Sequence, residues 1–140
     1  MYARGKDHPL KEACAWLITK IAEGEPVASL RPVIDTEVFQ EVLYRYSAIN
    51  KPTLGVSICR DLRILGIEVL SIGPKEVDLF IDLAEKYGNL KLPMRDIVHL
   101  AVMTTNGIDR VITPDKHFDH FPAVKRLDPV DLWEKSGKLG

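Results

Sequence analysis

The sequence predicts an α/β fold, a three-layer α/β/α sandwich with helices on both faces of a parallel sheet. Three observations predict it. Apolar residues recur at helical spacing in segment after segment. Short runs of β-formers separate those segments instead of following one another. Pro stands at the start of several periods and Gly at their ends, as helix entry and exit require. Strands that alternate with helices pair in parallel, because each helix carries the chain back across the sheet.

The elements run in order along the chain. Leu10, Ala13, Cys14, Leu17, Ile18 and Ile21 mark one face of a first helix, with Pro9 in its first turn and Gly24 as its C-terminal cap. Residues 26–30 form a short strand, Val27 being the clearest β-former. A second helix covers residues 35–46, with Val38, Phe39, Val42, Leu43 and Tyr46 inward. A third covers 53–65, striped by Leu54, Ile58, Leu62 and Leu65 and ended by Gly66. Residues 67–72 read as a strand. Pro74 opens a fourth helix, striped by Val77, Phe80, Ile81 and Ala84 and closed by Gly88. After a loop at 89–92, Pro93 opens a fifth helix that runs to about Asn106 and closes at Gly107. Residues 110–113 form a strand, followed by a short helical turn, a last strand at 124–127 and a terminal helix from Pro129 through Trp133. The chain holds no repeat, low-complexity tract or linker, so residues 1–140 are expected to form a single domain.

The net charge of −1 gives no global basic field, so a nucleic-acid partner would need a local basic patch. Cys14 and Cys59 fall in mid-helix and are expected reduced and buried. No apolar run reaches the length of a membrane span, and the N-terminus carries no apolar signal region. A cytoplasmic protein with no membrane contact is the expectation.

Chemistry points to four acids: Glu41, Asp96, Asp115 and Asp119. Asp96 lies in the first turn of the fifth helix, where the dipole favours a carboxylate by about 0.3–1 kcal/mol. It also shares an inward face with His99 and Leu100, where an uncompensated charge is costly. Asp115 can cap the short helix that begins near Lys116, and Asp119 follows one turn later. Like charges at that spacing repel by a few tenths of a kcal/mol, a penalty that a shared cation removes. Glu41 sits one turn after Glu37, beyond the reach of the helix dipole. If folding gathers these acids, a cation must hold them together. Oxygen ligands with few Cys or His suit Mg²⁺ or Mn²⁺, and that chemistry serves phosphoryl groups. Of His8, His99, His117 and His120, none forms a metal-binding HExxH pair; His117 and His120 at i,i+3 could hold zinc, but nothing else nearby supports it, and all four are taken as solvated or supporting groups. There is no Gly-rich phosphate loop and no nucleophile elbow.

The order of motifs resembles the PIN-domain family, metal-dependent ribonucleases that include the VapC toxins. Three blocks carry the likeness: Thr36 through Tyr46, with its acid at Glu41; Leu92 through Ala101, with its acid at Asp96; and Val111 through Asp119, with Thr113, Asp115 and Asp119. Leu127-Asp128-Pro129 matches the usual exit from the last strand. The family opens with a strand ending in Asp-Thr-Asn. Here Met1-Tyr2-Ala3 resembles the residues just after that motif, so the strand and its Asp are missing from this chain, and Asp7 stands too far along to replace the Asp. A misplaced start codon or a degenerate, inactive member would account for this. A gap in the sheet, or its filling by a neighbouring segment or chain, is expected.

The resemblance implies a Mg²⁺/Mn²⁺-dependent endoribonuclease. Glu41, Asp96 and Asp115 would hold the metal, Asp119 would complete the set or orient a water, and Thr113, Lys116 and Arg95 would contact the phosphate. RNA would be the substrate, an antitoxin protein a partner, and the assembly a homodimer. The alternative is a catalytically inactive module that keeps the fold and only binds. A phosphate-receiving regulatory domain would need an acidic pair after an early strand and a Lys after a late one, and neither is seen.

Overall fold

The computed structural model describes residues 9–139. Its elements run α1 (Pro9–Ala22), β1 (Val33–Asp35), α2 (Glu37–Ala48), α3 (Pro52–Ile64), β2 (Glu68–Leu70), α4 (Pro74–Tyr87), α5 (Met94–Thr105), β3 (Arg110–Ile112), β4 (Lys125–Leu127) and α6 (Pro129–Leu139). Two 3₁₀ segments, Gly88–Leu90 and Lys116–His120, follow α4 and precede β4. Helices alternate with strands, and every strand pair is parallel, which is the α/β arrangement predicted. Among the described residues the strands form two separate two-stranded ladders, β1-β2 and β3-β4; the sequence predicts one parallel sheet with a gap, or with the gap filled by another segment or chain. Met1 through Ala3, Asp7 and His8 lie outside the described residues.

The chain divides into two compact units: residues 33–109, and residues 1–32 together with 110–140. In the 33–109 unit, β1 pairs with β2, Val33 opposite Glu68 and Asp35 opposite Leu70. α2 packs on α3, and α4 on α5. Gly55 permits the first of these contacts: a Cβ there would lie 3.0 Å from the Tyr46 Cβ. The core is built chiefly from α5, whose Ile97, Leu100, Ala101, Val102 and Met103 are all buried, with Val42 and Tyr46 from α2. Sustained apolar character along α5 is what buries it on nearly every side.

In the other unit, β3 pairs with β4, Arg110 opposite Lys125 and Ile112 opposite Leu127. α1 packs on α6. Leu10, Ala13, Val27, Phe118 and Phe121 are buried, and the two phenyl rings meet edge to face, centroids 5.7 Å apart.

Several expectations need correction. Residues 26–30 are not a strand. Val27 and Leu30 bond to each other, N to O at 2.9 Å both ways, across a turn in which Ala28 and Ser29 have φ of 51° and 63°. The strand lies later, at Val33–Asp35, and displaces the start of α2 by two residues. Leu43 and Ile81, placed inward by periodicity, are exposed, as is Ile18. The α4 stripe sits only half-covered, and no residue of that helix is fully buried. Cys14 and Cys59 are free thiols, half-buried instead of fully so.

Candidate metal-binding site

The 33–109 unit carries an unusual run of charge at the end of β1. Three extended residues end at Asp35, whose side chain is only 7% exposed. Its Oδ1 accepts the Glu37 backbone N–H at 3.0 Å, capping the first turn of α2. Its Oδ2 lies 2.5 Å from Nδ1 of His99 on α5. The other ring nitrogen of His99, Nε2, hydrogen-bonds Oε1 of Glu41 on α2. One imidazole thus joins a strand end, α2 and α5. Each nitrogen faces a carboxylate, so both must donate, which the imidazolium alone can do. Burial opposes that charge, but the hydrogen bonds to Asp35 and Glu41 outweigh it, and the His99 pKa is pushed up to about 10.

Glu41 keeps a second oxygen. Oε2 lies 3.8 Å from Nε of Arg95, an outward side chain. Burial and the nearby Glu41 charge raise the Glu37 carboxyl above the usual range. Glu37, Glu41, Tyr44, Arg45 and Arg95 line one shallow groove. Asp96 stands in the first turn of α5, three residues before His99 and therefore on the same face. It is 6% exposed, as its inward position predicts. Its own N–H bonds the Pro93 carbonyl at 3.0 Å.

The other unit holds the remaining motif. Thr113 follows β3, and its Oγ1 accepts the Asp115 N–H at 3.1 Å. Asp115 caps the Lys116–His120 helix, its Oδ1 accepting the His117 N–H at 3.2 Å, and the same oxygen lies 2.9 Å from His117 Nδ1. Lys116 points to solvent. Asp119 is exposed and accepts from Arg126 Nε at 3.1 Å. Arg126 also reaches the Thr113 carbonyl at 3.2 Å and Asp128 Oδ2 at 3.5 Å, tying the loop after β3 to β4.

The sequence located Asp96 and Asp115 in the local settings they occupy. It does not show Asp35, the bridging role of His99 or the part played by Arg126. A signal for Asp35 did exist: Val33-Ile34-Asp35-Thr36 is a short β-branched run ending in an acid ahead of a helix. The donors that the motifs supply, Glu41, Asp96 and Asp115, are all carboxylates, a set of hard oxygens that fits Mg²⁺ or Mn²⁺ better than a thiophilic metal.

Comparison with known proteins bears on these residues. Residues 1–124 match the family described as PIN domain. A VapC ribonuclease of Mycobacterium bovis is 36% identical over 130 residues, which cover 91% of this chain and 92% of the relative. Ribonuclease VapC13 of Mycobacterium tuberculosis matches with the same identity and coverage. Among solved structures, a toxin–antitoxin complex from Klebsiella pneumoniae aligns with a TM-score of 0.51 at 15% identity, covering 84% of this chain and 92% of that one. At that identity the likeness concerns the fold.

Proposed function

This chain belongs to the PIN domain family, and from that premise we propose that it is a VapC-like endoribonuclease that hydrolyses RNA phosphodiester bonds with Mg²⁺ or Mn²⁺. One observation carries the proposal: the acid of the second matching block, Asp96, is buried in the first turn of α5. A carboxylate withdrawn from water offers a charged, hard oxygen in a low-dielectric setting, where it attracts a divalent cation strongly. The two ribonucleases that share 36% identity over nearly the whole chain support RNA as the substrate.

Glu41, Asp96 and Asp115 are the proposed ligands, with Asp119 completing the set. When bound, the ion would neutralise charge building on the phosphate and acidify an attacking water. The chain's own groups do the rest. Thr113 uses its hydroxyl oxygen to accept from Asp115, which leaves its O–H free to donate to a phosphate oxygen. Lys116 and Arg95 are outward cations suited to the flanking phosphates. Arg126 holds Asp119 and the Thr113 carbonyl together and so fixes the loop that carries Asp115.

Cleavage of RNA by the full chain in Mn²⁺ tests the proposal. Asp96→Asn, nearly the same shape without the charge, is expected to slow cleavage by roughly 100-fold or more, a scale typical of lost electrostatic stabilisation. Equal rates for the variant and the wild type would end it. One observation favours a non-catalytic binding module instead: both oxygens of Glu41 already face cations of this chain, His99 and Arg95. RNA retained in a gel shift but uncut in Mn²⁺ would select that alternative. An antitoxin protein partner, a homodimer and a cytoplasmic location complete the proposal, and light scattering of the purified chain checks the dimer.

A further inference from the structure

We infer that His99, clamped by the buried Asp35, is a positioning residue that presents Glu41 to a bound cation through a single oxygen, Oε2. This rests on the metal-dependent function proposed above.

Glu41 is a flexible side chain on a helix surface, and fixing such a side chain costs rotamer entropy. The contact to His99 Nε2 is what restrains it. The imidazole is itself restrained from behind. Asp35 Oδ2 takes Nδ1, while Asp35 Oδ1 is tied to the Glu37 N–H at the start of the helix that carries Glu41. Strand end, ring and Glu41 therefore form one connected unit in which no ring nitrogen is left over. Because His99 lies three residues after Asp96, the clamp also references Glu41 to the face of α5 that bears the buried acid. Oε1 being taken, Oε2 is the oxygen left for a cation. Arg95 Nε, 3.8 Å away on a side chain 44% exposed, acts as its counter-ion and is free to swing aside. A group that orients a ligand in this way usually changes metal affinity or activity by roughly 10–100-fold when removed.

Free Mn²⁺, measured by its electron paramagnetic resonance signal, gives the affinity of the full chain and of variants without using activity. His99→Gln is expected to weaken Mn²⁺ binding roughly tenfold in the wild-type background, and Asp35→Asn to do the same. In a Glu41→Gln background the His99→Gln change should cost less than about twofold, since its effect passes through Glu41. Equal Mn²⁺ affinity of wild type and His99→Gln overturns the inference alone. So does an equal loss in both backgrounds, which would mark a merely structural role. Absence of Mn²⁺ binding by the wild type overturns the metal-dependent function and this inference with it. Should the variants not fold, nitrogen NMR of the wild-type His99 ring decides. The Nε2 signal should move on saturation with Mg²⁺, and a signal that stays put overturns the inference.

Discussion

His99 is held between two carboxylates in a part-buried site, and the consequence is a stability that depends on pH in an unusual direction. Its folded pKa is about 10, whereas an unfolded histidine titrates near ~6.5. The folded state therefore grips the proton more tightly. That contribution is fully present below about pH 6.5 and is lost as pH rises through about 10. The metal-free chain should have a falling urea midpoint from neutral pH upward. Asp35→Asn should flatten that fall, because Asn still accepts the Glu37 N–H but no longer attracts the imidazolium. An equally steep fall in the variant would show that other groups set the slope. Residues differ in how far the sequence betrays them. Asp96 is legible because apolar spacing placed it on an inward face. The His99 contacts are not, because Asp35 and Glu41 lie 64 and 58 residues away along the chain, and no periodicity connects them.

The first five helices were legible to within two or three residues, since runs of 12 to 14 residues give a stripe several chances to repeat; α6 runs to Leu139, six residues past the expected Trp133. Three of the strands were legible too, at 67–72, 110–113 and 124–127, although each is only three residues long and includes a polar member, Glu68, Arg110 or Lys125; β1 was not, being Val33-Ile34-Asp35 alone. Alternation cannot declare itself over three positions. Val27 misled for a related reason: its partner is Leu30, three residues on, and the backbone reverses between them. That reversal is a two-residue turn with positive φ at both central positions, the geometry that Asn-Gly prefers. Replacing Ala28 by Asn and Ser29 by Gly should raise stability by about 1 kcal/mol through relief of left-handed strain. A urea midpoint unchanged or lowered would contradict that account. Gly55 makes the opposite case. Alanine gains about 1 kcal/mol of helix propensity in general, but here its Cβ meets the Tyr46 Cβ, which is fixed to the α2 backbone and buried. Steric cost should win, with Gly55→Ala less stable by about 1–2 kcal/mol. Equilibrium denaturation with an unchanged m-value would locate the loss in packing.

Across the whole chain, the alternation of helix and strand was enough to foresee parallel pairing, because the hand and direction of crossovers leave little choice. Which strands pair was beyond the sequence: β1 chooses β2 across two helices, and β3 chooses β4 across a single 3₁₀ turn. The chemistry at molecular scale rests on like charge. On the proposed function the motif acids share a cation, and ion binding is then linked to folding. Any ion bound by the folded chain and not by the unfolded one stabilises it by about 2.7 kcal/mol at 100 times its Kd. For a chain of this size that is a rise in Tm of roughly 5–10 °C. Melting should shift upward in Mn²⁺, return on addition of a chelator, and shift much less in Asp96→Asn. Urea at fixed temperature should show the same order. The variant is the sharper half of this experiment, since any cation can screen surface acids, whereas a dependence on one buried carboxylate cannot come from screening. A Tm that Mn²⁺ raises equally in Asp96→Asn and wild type would mean that the ion binds elsewhere, and Asp96 would then be a buried acid held by this chain's own donors alone.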